Sequence, residues 1–172
     1  MKIVLATPLY PPEVADAAVY VKELARRLTQ NHKVTVVAYA HLPEQMPGVT
    51  VVAVDKRRPR LARLRAFRKA LVHASHTADA VIAINGVSVE LPILLSSLPK
   101  TIFCLADKAA HERARLIERF AFARACMVVR EVPDTKPEIL PLEPEPKEAL
   151  AVWERAWQEH LRTLENILTH GN

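Results

Sequence analysis

Short apolar segments alternate with helical segments along most of the chain, and this alternation restricts the possible folds more than any other feature of the sequence. Each apolar segment has five to seven residues, many of them β-branched, which is typical of a strand buried on both faces. Strands separated by helices form a mostly parallel sheet with helices on both faces. The sequence therefore predicts an α/β fold, a single Rossmann-like domain whose sheet has roughly six strands. The predicted strands are residues 2–7, 33–39, 49–54, 79–85, 100–105 and 125–129.

The segments between these strands have helical periodicity. Residues 17–31 repeat apolar side chains every three to four positions, and Asp16 is predicted to be the N-cap of this helix. Pro59 is predicted to open the next helix as a first-turn proline. The buried stripe predicted for that second helix consists of Leu61, Leu64, Phe67, Leu71 and Val72. The remaining predicted helices are residues 87–97, with Pro92 in the first turns, and residues 108–123.

The composition changes after residue 130. Residues 131–146 are acidic and rich in proline, which predicts an extended linker. Residues 147–170 then form a predicted amphipathic helix. Since tryptophan side chains are costly to expose to water, we expect this helix to pack on another surface. The predicted organisation is a Rossmann-like domain over 1–130, the linker, and the C-terminal helix. Its predicted apolar stripe comprises Leu150, Trp153, Ala156, Trp157, Leu161, Leu164, Ile167 and Leu168.

Several functional classes are disfavoured by composition. No apolar run approaches the roughly 20 residues of a membrane span, and residues 3–6 are too short for a signal peptide, so we expect a cytoplasmic protein. Cys104 and Cys126 lie in apolar segments without a CxxC motif or a histidine at ligand spacing. We expect two buried thiols and no metal site. His73 and His76, one helical turn apart, are interpreted as surface residues.

Two blocks of the sequence resemble the N-terminal domain of family 4 glycosyltransferases, which are enzymes of the GT-B fold. The first block is MKIVLATPLYPPEVADAAVYVKELARRLTQNHKVTVVAY, and the second is ADAVIAINGVSVELPILLSSLPKTIFCLADKAAHERAR. The resemblance covers about the first 125 residues. In the first block, the residues that match the family pattern are Thr7, Pro8, Pro11, Pro12, Val21, Leu24, Ala25, Leu28, His32, Val34, Thr35 and Val36.

The sequence departs from the family pattern in two respects. The family's Gly-Gly pair, which brings backbone N–H groups close to a ligand, is Ala15-Asp16 in this chain. Asp16 would place a carboxylate where an anion should lie, so we expect it to cap its own helix instead. The 172 residues also leave no room for the donor-binding second domain, and no two glutamates are eight positions apart. The resemblance therefore implies the acceptor side of the cleft alone.

The resemblance also suggests site residues. It assigns acceptor contacts to the first loop, and Asn85-Gly86 follows the fourth predicted strand, where open sheets bind ligands. Asp107 matches the aspartate of a family G-D or H-D motif. The candidate catalytic residues that the resemblance suggests are Asp107 and Glu112. Two alternatives stay open, because Asn85-Gly86 can be a plain turn and Asp107 can be a helix N-cap. The candidate substrate-binding residues are Pro12, Ala15, Asp16, Asn85, Gly86, Lys108 and His111.

A strongly basic segment follows the third predicted strand. Residues 56–69 contain eight basic residues and no acid, whereas nine acids and four bases follow from Glu131, a net charge of −5. The segment is interpreted either as a solvated helix face neutralised by the acidic tail or as a contact for an anionic membrane, which related glycosyltransferases use. Nucleic acid is disfavoured because no aromatic platform accompanies the charge. The candidate contacts are Arg57, Arg58, Arg60, Arg63, Arg65, Arg68 and Lys69.

These observations lead to two hypotheses. In the first, the chain is the acceptor-binding half of a nucleotide-sugar-dependent glycosyl transfer, and a partner chain holds the donor. The isolated chain requires no cofactor of its own in this hypothesis. It is not expected to be active alone, because it lacks the hydrogen-bond donors and cations that would stabilise the leaving diphosphate. In the second, the chain is a non-catalytic interaction or scaffold module that keeps the fold but has lost sugar transfer. A homo-oligomer is the further partner considered.

Overall fold

The structure is a computed structural model, and it describes residues 1–106, 115–133 and 147–170. The strands in this part of the chain are β1 (Lys2–Thr7), β2 (Lys33–Tyr39), β3 (Val49–Val54), β4 (Ala80–Ile84), β5 (Lys100–Cys104) and β6 (Met127–Val129). The helices are α1 (Asp16–Leu28), α2 (Arg60–Ser75), α3 (Val87–Leu94), α4 (Arg115–Ala123) and α5 (Lys147–His170). The predicted order of strands and helices is confirmed for these residues.

The six strands form one parallel sheet in the order β3-β2-β1-β4-β5-β6. This order is that of a Rossmann-like domain. The chain moves outward in one direction from β1 to β3, then returns to the other side of β1 with β4. Since the strand order reverses between β1 and β4, their carboxyl ends border the topological switch point, where open α/β sheets bind ligands.

Both faces of the sheet are buried. On one face, Ile3 and Leu5 belong to a core that also contains residues of α1 and α5, including Tyr20 and Trp157. On the other face, Val4 belongs to a core built with α2, α3 and α4. Because successive side chains of a strand point to opposite faces, a strand buried on both sides reads as the continuous apolar run seen in the sequence.

Helix α5 packs on α1 of the same chain; its tryptophans predicted that it packs on a surface, but not whether that surface belongs to this chain or to a partner. Trp157 is 1% exposed and stacks on Tyr20 with ring centroids 5.4 Å apart. The guanidinium of Arg27 lies 5.2 Å from the ring centroid of Trp157 and donates two hydrogen bonds, of 2.7 and 2.6 Å, to the carboxylate of Glu154. The Nζ of Lys100 donates to the carbonyls of the last turn of α5, which stabilises that helix end.

Two predictions about single residues are wrong, those for Asp16 and Cys126. Asp16 is the first residue of α1 and not its N-cap, because the carbonyl of Ala15 already accepts the N–H groups of Ala18 and Val19. The Asp16 carboxylate nevertheless lies in the first turn, where the helix dipole favours it. Cys126 is exposed, unlike Cys104, because it immediately precedes β6, the edge strand of the sheet.

The buried stripe of α2 is narrower than predicted. Phe67 and Leu71 are buried, whereas Leu61 is 69% exposed and Val72 is 40% exposed. At about 100° per residue, Leu61 lies about 120° and Val72 about 140° around the helix axis from Phe67, outside the face that meets the sheet.

The apolar stripe predicted for α5 is also wrong at two positions, Leu150 and Ala156, which are exposed.

Candidate ligand-binding cleft

An open cleft of about 630 Å³ lies at the carboxyl edge of the sheet, at the topological switch point. We call it the switch-point cleft. Pro8 follows β1 and Gly86 follows β4, so the two segments that border the switch point both contribute to it. The volume is in the range of small-molecule sites. The lining residues are Pro8, Leu9, Tyr39, Lys56, Arg60, Arg63, Leu64, Gly86, Val87, Ser88 and Leu91.

Gly86 is required by the close approach of two loops. Its φ is +146°, and a Cβ at this position would lie 3.3 Å from Cγ of Pro8. A side chain would therefore be strained by the backbone and crowded by the neighbouring loop. The N–H of Gly86, the N-cap of α3, donates to Oε1 of the buried Glu90 at 2.9 Å, so this carboxylate caps the N-terminus of α3.

Tyr39 and Ser88 connect the two halves of the cleft. The hydroxyl of Tyr39 donates to the carbonyl of Ser88 at 2.8 Å. That carbonyl cannot receive the usual helical bond from four residues later, because residue 92 is a proline and has no N–H. Burial raises the pKa of Tyr39 well above its ordinary value of 10.0, so the hydroxyl keeps its proton at neutral pH.

Three cations line the switch-point cleft. The Nζ of Lys56 forms an ion pair with the carboxylate of Glu13 in the loop after β1. Arg63 donates from Nη1 to the carbonyl of Lys56 at 3.0 Å, and its guanidinium lies 5.7 Å from the ring centroid of Tyr39. Arg60 is exposed and is the first residue of α2. The cleft wall formed by α2 and the segment before it is therefore strongly basic.

The predicted substrate-binding residues are not all brought together. Gly86 lines the cleft, whereas Asn85 is fully buried, with its N–H donating to the carbonyl of Cys104 at 3.2 Å. Pro12 and Asp16 are exposed and, like Ala15, do not line the cleft. The other candidates, Asp107, Lys108, His111 and Glu112, lie outside the described residues.

The predicted polyanion contacts divide into two groups. Arg60 and Arg63 line the cleft. The others lie on the surface, where Arg57 pairs with Asp55 at 3.1 Å and Nε of Arg68 donates to Oγ of Ser96 at 3.3 Å. The exposed members of this second group are Arg57, Arg58, Arg65, Arg68 and Lys69. His73 and His76 are also exposed, which confirms that they are surface residues.

Sequence reasoning missed Tyr39 and Ser88 as cleft residues. A signal was present in principle, because Pro92 within a predicted helix leaves the carbonyl four positions earlier in need of another donor. The donor itself was not predictable from local sequence, since Tyr39 is 49 residues away from Ser88 along the chain.

A second, smaller cleft of about 380 Å³ lies between α5 and the segment after β6. Among its lining residues is His160, whose Nε2 lies 2.6 Å from the hydroxyl of Tyr20. Burial lowers the pKa of His160 from 6.5 to about 4, so the imidazole is neutral at pH 7 and shares one hydrogen bond with the Tyr20 hydroxyl. Within residues 1–106, 115–133 and 147–170, no three His, Cys, Asp or Glu side chains are grouped so as to hold a metal ion. No helix in the same ranges has both the length and the apolar character to cross a bilayer.

Comparison with known proteins assigns no family to this chain. No family model matches the sequence, and no curated protein matches it. Among solved structures, the chain is similar to the C-terminal domain of the coenzyme A biosynthesis bifunctional protein CoaBC, with 13% identity and a TM-score of 0.46 over 96% of this chain and 98% of that one. The assignment of a Rossmann-like fold follows from the strand order itself. The resemblance to family 4 glycosyltransferases stays a prediction.

Proposed function

We propose that this chain is a GT-B-type acceptor-binding domain, the half of a nucleotide-sugar-dependent glycosyltransferase that holds the acceptor, with a partner chain holding the donor. The observation that carries the proposal is the position of the switch-point cleft. Pro8 comes from the first block that resembles family 4 glycosyltransferases and Gly86 from the second, and both line this one cleft. A cleft at the switch point of a parallel sheet is the expected place for a ligand.

The division of labour follows from the charges that glycosyl transfer requires. A departing nucleoside diphosphate must be stabilised by fixed donors and cations, usually the largest contribution to the rate. In the resembling family this is the task of a second Rossmann-like domain. In this proposal the partner supplies that domain, and the isolated chain binds acceptor without turnover.

The decisive experiment is purification of the tagged chain from its native cell, with sizing by light scattering and identification of partners by mass spectrometry. We expect one stoichiometric partner that carries two glutamates eight positions apart. The purified complex should transfer label from a nucleotide sugar. A native particle containing only copies of this chain contradicts the proposal.

A matched pair of glycine variants tests whether the cleft is used. Gly86→Ala adds a Cβ that meets Pro8, whereas Gly48→Ala adds one at another positive φ, +78°, where the nearest heavy atoms are 3.8 Å away. We expect the Gly86 variant to lose transfer and the Gly48 variant to keep it while both still bind the partner. Equal transfer by both complexes would exclude the cleft as the acceptor site.

One observation favours the second candidate function, a non-catalytic interaction module. The residues that replace the family's Gly-Gly, Ala15 and Asp16, do not line the switch-point cleft. A module of this kind would form a stable complex but neither bind nucleotide sugar nor transfer label. The same purified complex therefore distinguishes the two functions.

We place the complex in the cytoplasm, with an anionic membrane surface as a second candidate partner. Helix α2 exposes Arg65, Arg68 and Lys69 together with Leu61, a combination of charge and apolar surface that suits lipid headgroups. Cosedimentation with vesicles tests this contact. We expect the Arg65→Gln/Lys69→Gln variant to bind vesicles that contain phosphatidylserine more weakly than the unaltered chain does. If the unaltered chain binds neutral phosphatidylcholine vesicles equally well, the contact with an anionic membrane is contradicted.

A further inference from the structure

The switch-point cleft has an excess of positive charge that the fold does not neutralise. Among the described residues that line it, which number eleven, three are Lys or Arg and none is Asp or Glu. Two described acids lie next to the lining: Glu13, in the loop after β1, pairs with Lys56, and the buried Glu90 accepts from the N–H of Gly86. Cations gathered in a concave site repel one another and attract anions.

The helix dipoles increase this excess. Arg60 is the first residue of α2, and the first turn of α2 contains no acidic residue. A helix N-terminus carries partial positive charge, so a cation there is unfavourable by itself. The first turn of α3, with Val87 and Ser88, faces the same cleft. The N-terminus of α3 already has the Glu90 carboxylate beside it, so an anion bound in the cleft would mainly stabilise the N-terminus of α2 and the three cations.

Arg63 is already held in position for such a ligand. Its bond to the carbonyl of Lys56 takes one of the five N–H groups of a guanidinium. Its position over the ring of Tyr39, itself fixed by Ser88, limits its rotamers further. A side chain ordered before binding loses less entropy when a ligand arrives.

The remaining walls of the cleft are apolar, which indicates that the rest of the ligand is an organic group. Pro8 and Leu9 come from the loop after β1, Leu64 from α2, and Val87 and Leu91 from α3. A ligand with an anionic group and an organic body would contact both kinds of wall. Two arginines and a lysine match a phosphate, which accepts several charge-assisted hydrogen bonds at once.

We propose that the switch-point cleft binds a phosphate monoester, with Arg60, Arg63 and Lys56 holding the phosphate and the apolar wall holding its organic group. This inference rests on the proposed function, since it names the chemical class of the acceptor. Glu13 competes with the phosphate for Lys56. The ion pair of Glu13 with Lys56 therefore lowers the affinity of the cleft for the phosphate.

Calorimetric titration of the full chain with butyl phosphate tests the proposal. We expect a one-to-one complex whose affinity falls about tenfold in Arg60→Gln and in Arg63→Gln, the usual loss for a hydrogen bond to a charged group. The matched control is Arg65→Gln, which removes the same charge from the exposed surface of α2, outside the cleft. An equal loss in the control, or no binding by the unaltered chain, overturns the proposal.

A second pair of variants predicts an effect of opposite sign. Glu13→Gln releases Lys56 and should raise the affinity for butyl phosphate about threefold, whereas Glu44→Gln removes a carboxylate paired with Lys22 and should leave it unchanged. A gain cannot result from damage to the fold, so this pair remains informative if an arginine variant is unstable. Equal changes in the two variants would show a general charge effect and would overturn the proposal.

Two further probes identify the source of the phosphate. Inorganic phosphate tests the anion alone, and vesicles containing phosphatidic acid test a lipid headgroup. Binding of butyl phosphate that depends on Arg60 and exceeds that of inorganic phosphate supports a soluble ester, and binding of vesicles that depends on Arg60 and is displaced by butyl phosphate supports a lipid. If inorganic phosphate binds as tightly as butyl phosphate, the apolar wall is not used and the ester is excluded. Direct binding requires no partner, so its failure is distinguishable from the failure of the proposed transferase complex.

Discussion

The hydroxyl of Tyr39 donates to the carbonyl of Ser88 at 2.8 Å, and this bond joins the end of β2 to the first turn of α3 across the switch-point cleft. Pro92 makes the bond possible, because it cannot supply the helical N–H that would otherwise go to Ser88. The ring of Tyr39 also stacks on Phe67 of α2, with centroids 4.4 Å apart. One side chain therefore fixes three of the elements that surround the cleft.

Tyr39→Phe should lower the free energy of unfolding by about 1 kcal/mol, because the partly buried Ser88 carbonyl loses its donor while the ring stacking is kept. Urea denaturation measures the change. In a Pro92→Ala background residue 92 regains an N–H that can reach Ser88, so the same substitution should cost less. Additive effects in this double-mutant cycle would show that the hydroxyl and Pro92 are not linked through the Ser88 carbonyl.

Trp157→Ala should lower the free energy of unfolding by about 3–5 kcal/mol, since the indole is 1% exposed and its loss leaves a cavity between α5 and α1. Val152→Ala, at a 64% exposed position of the same helix, is the control and should change it by less than about 0.5 kcal/mol. Chemical denaturation with light scattering compares them. Unchanged unfolding of the Trp157 variant together with loss of an oligomer would place α5 on another chain.

His160 should make the protein less stable as the pH falls from 6.5 towards 4. Burial lowers its pKa to about 4 in the folded state, so within that window the unfolded chain binds a proton that the folded chain does not. Stability falls as pH decreases there, by up to about 1.4 kcal/mol per pH unit. His160→Gln should flatten this slope in pH-dependent urea titrations, whereas the exposed His73→Gln should keep it. A slope that survives in the first variant would assign it to another group.

Glu154 should contribute a separate loss of stability at lower pH. Its hydrogen bonds with Arg27 lower its pKa below the ordinary value of 4.5, so its stabilising effect is present above that value and is lost as pH falls through the folded pKa. Glu154→Gln should be less stable than the unaltered protein at pH 7, and the difference should shrink below pH 4.5. Because Glu154 is partly exposed, the effect at pH 7 should be small, at most about 1 kcal/mol. Denaturation at a series of pH values checks it, with Glu159→Gln as the control on the same helix. A difference that stays constant down to acid pH would mean that the ion pair is not its source.

The sequence by itself determined the secondary structure and the parallel arrangement of this protein. All six strands were predicted within about two residues at each end. The reason is local, because a strand buried on both faces is apolar at successive positions and a helix between strands repeats every 3–4 residues. The local pattern failed where burial depends on helix orientation, as at Leu61, which has an apolar side chain on a face that does not meet the sheet.

Only the tertiary structure decided which residues share the cleft and what covers α1. Arg63 and Arg65 are two positions apart in one basic run, yet one lines the cleft and the other does not, because a helix turns about 200° between them. Tyr39 meets Ser88, and Arg27 meets Glu154, across 49 and 127 residues of sequence. Contacts between residues so far apart depend on strand order and on the docking of whole helices. Periodicity along the chain predicts neither the strand order nor the docking of helices, so the residues of the cleft could be identified only from the folded structure.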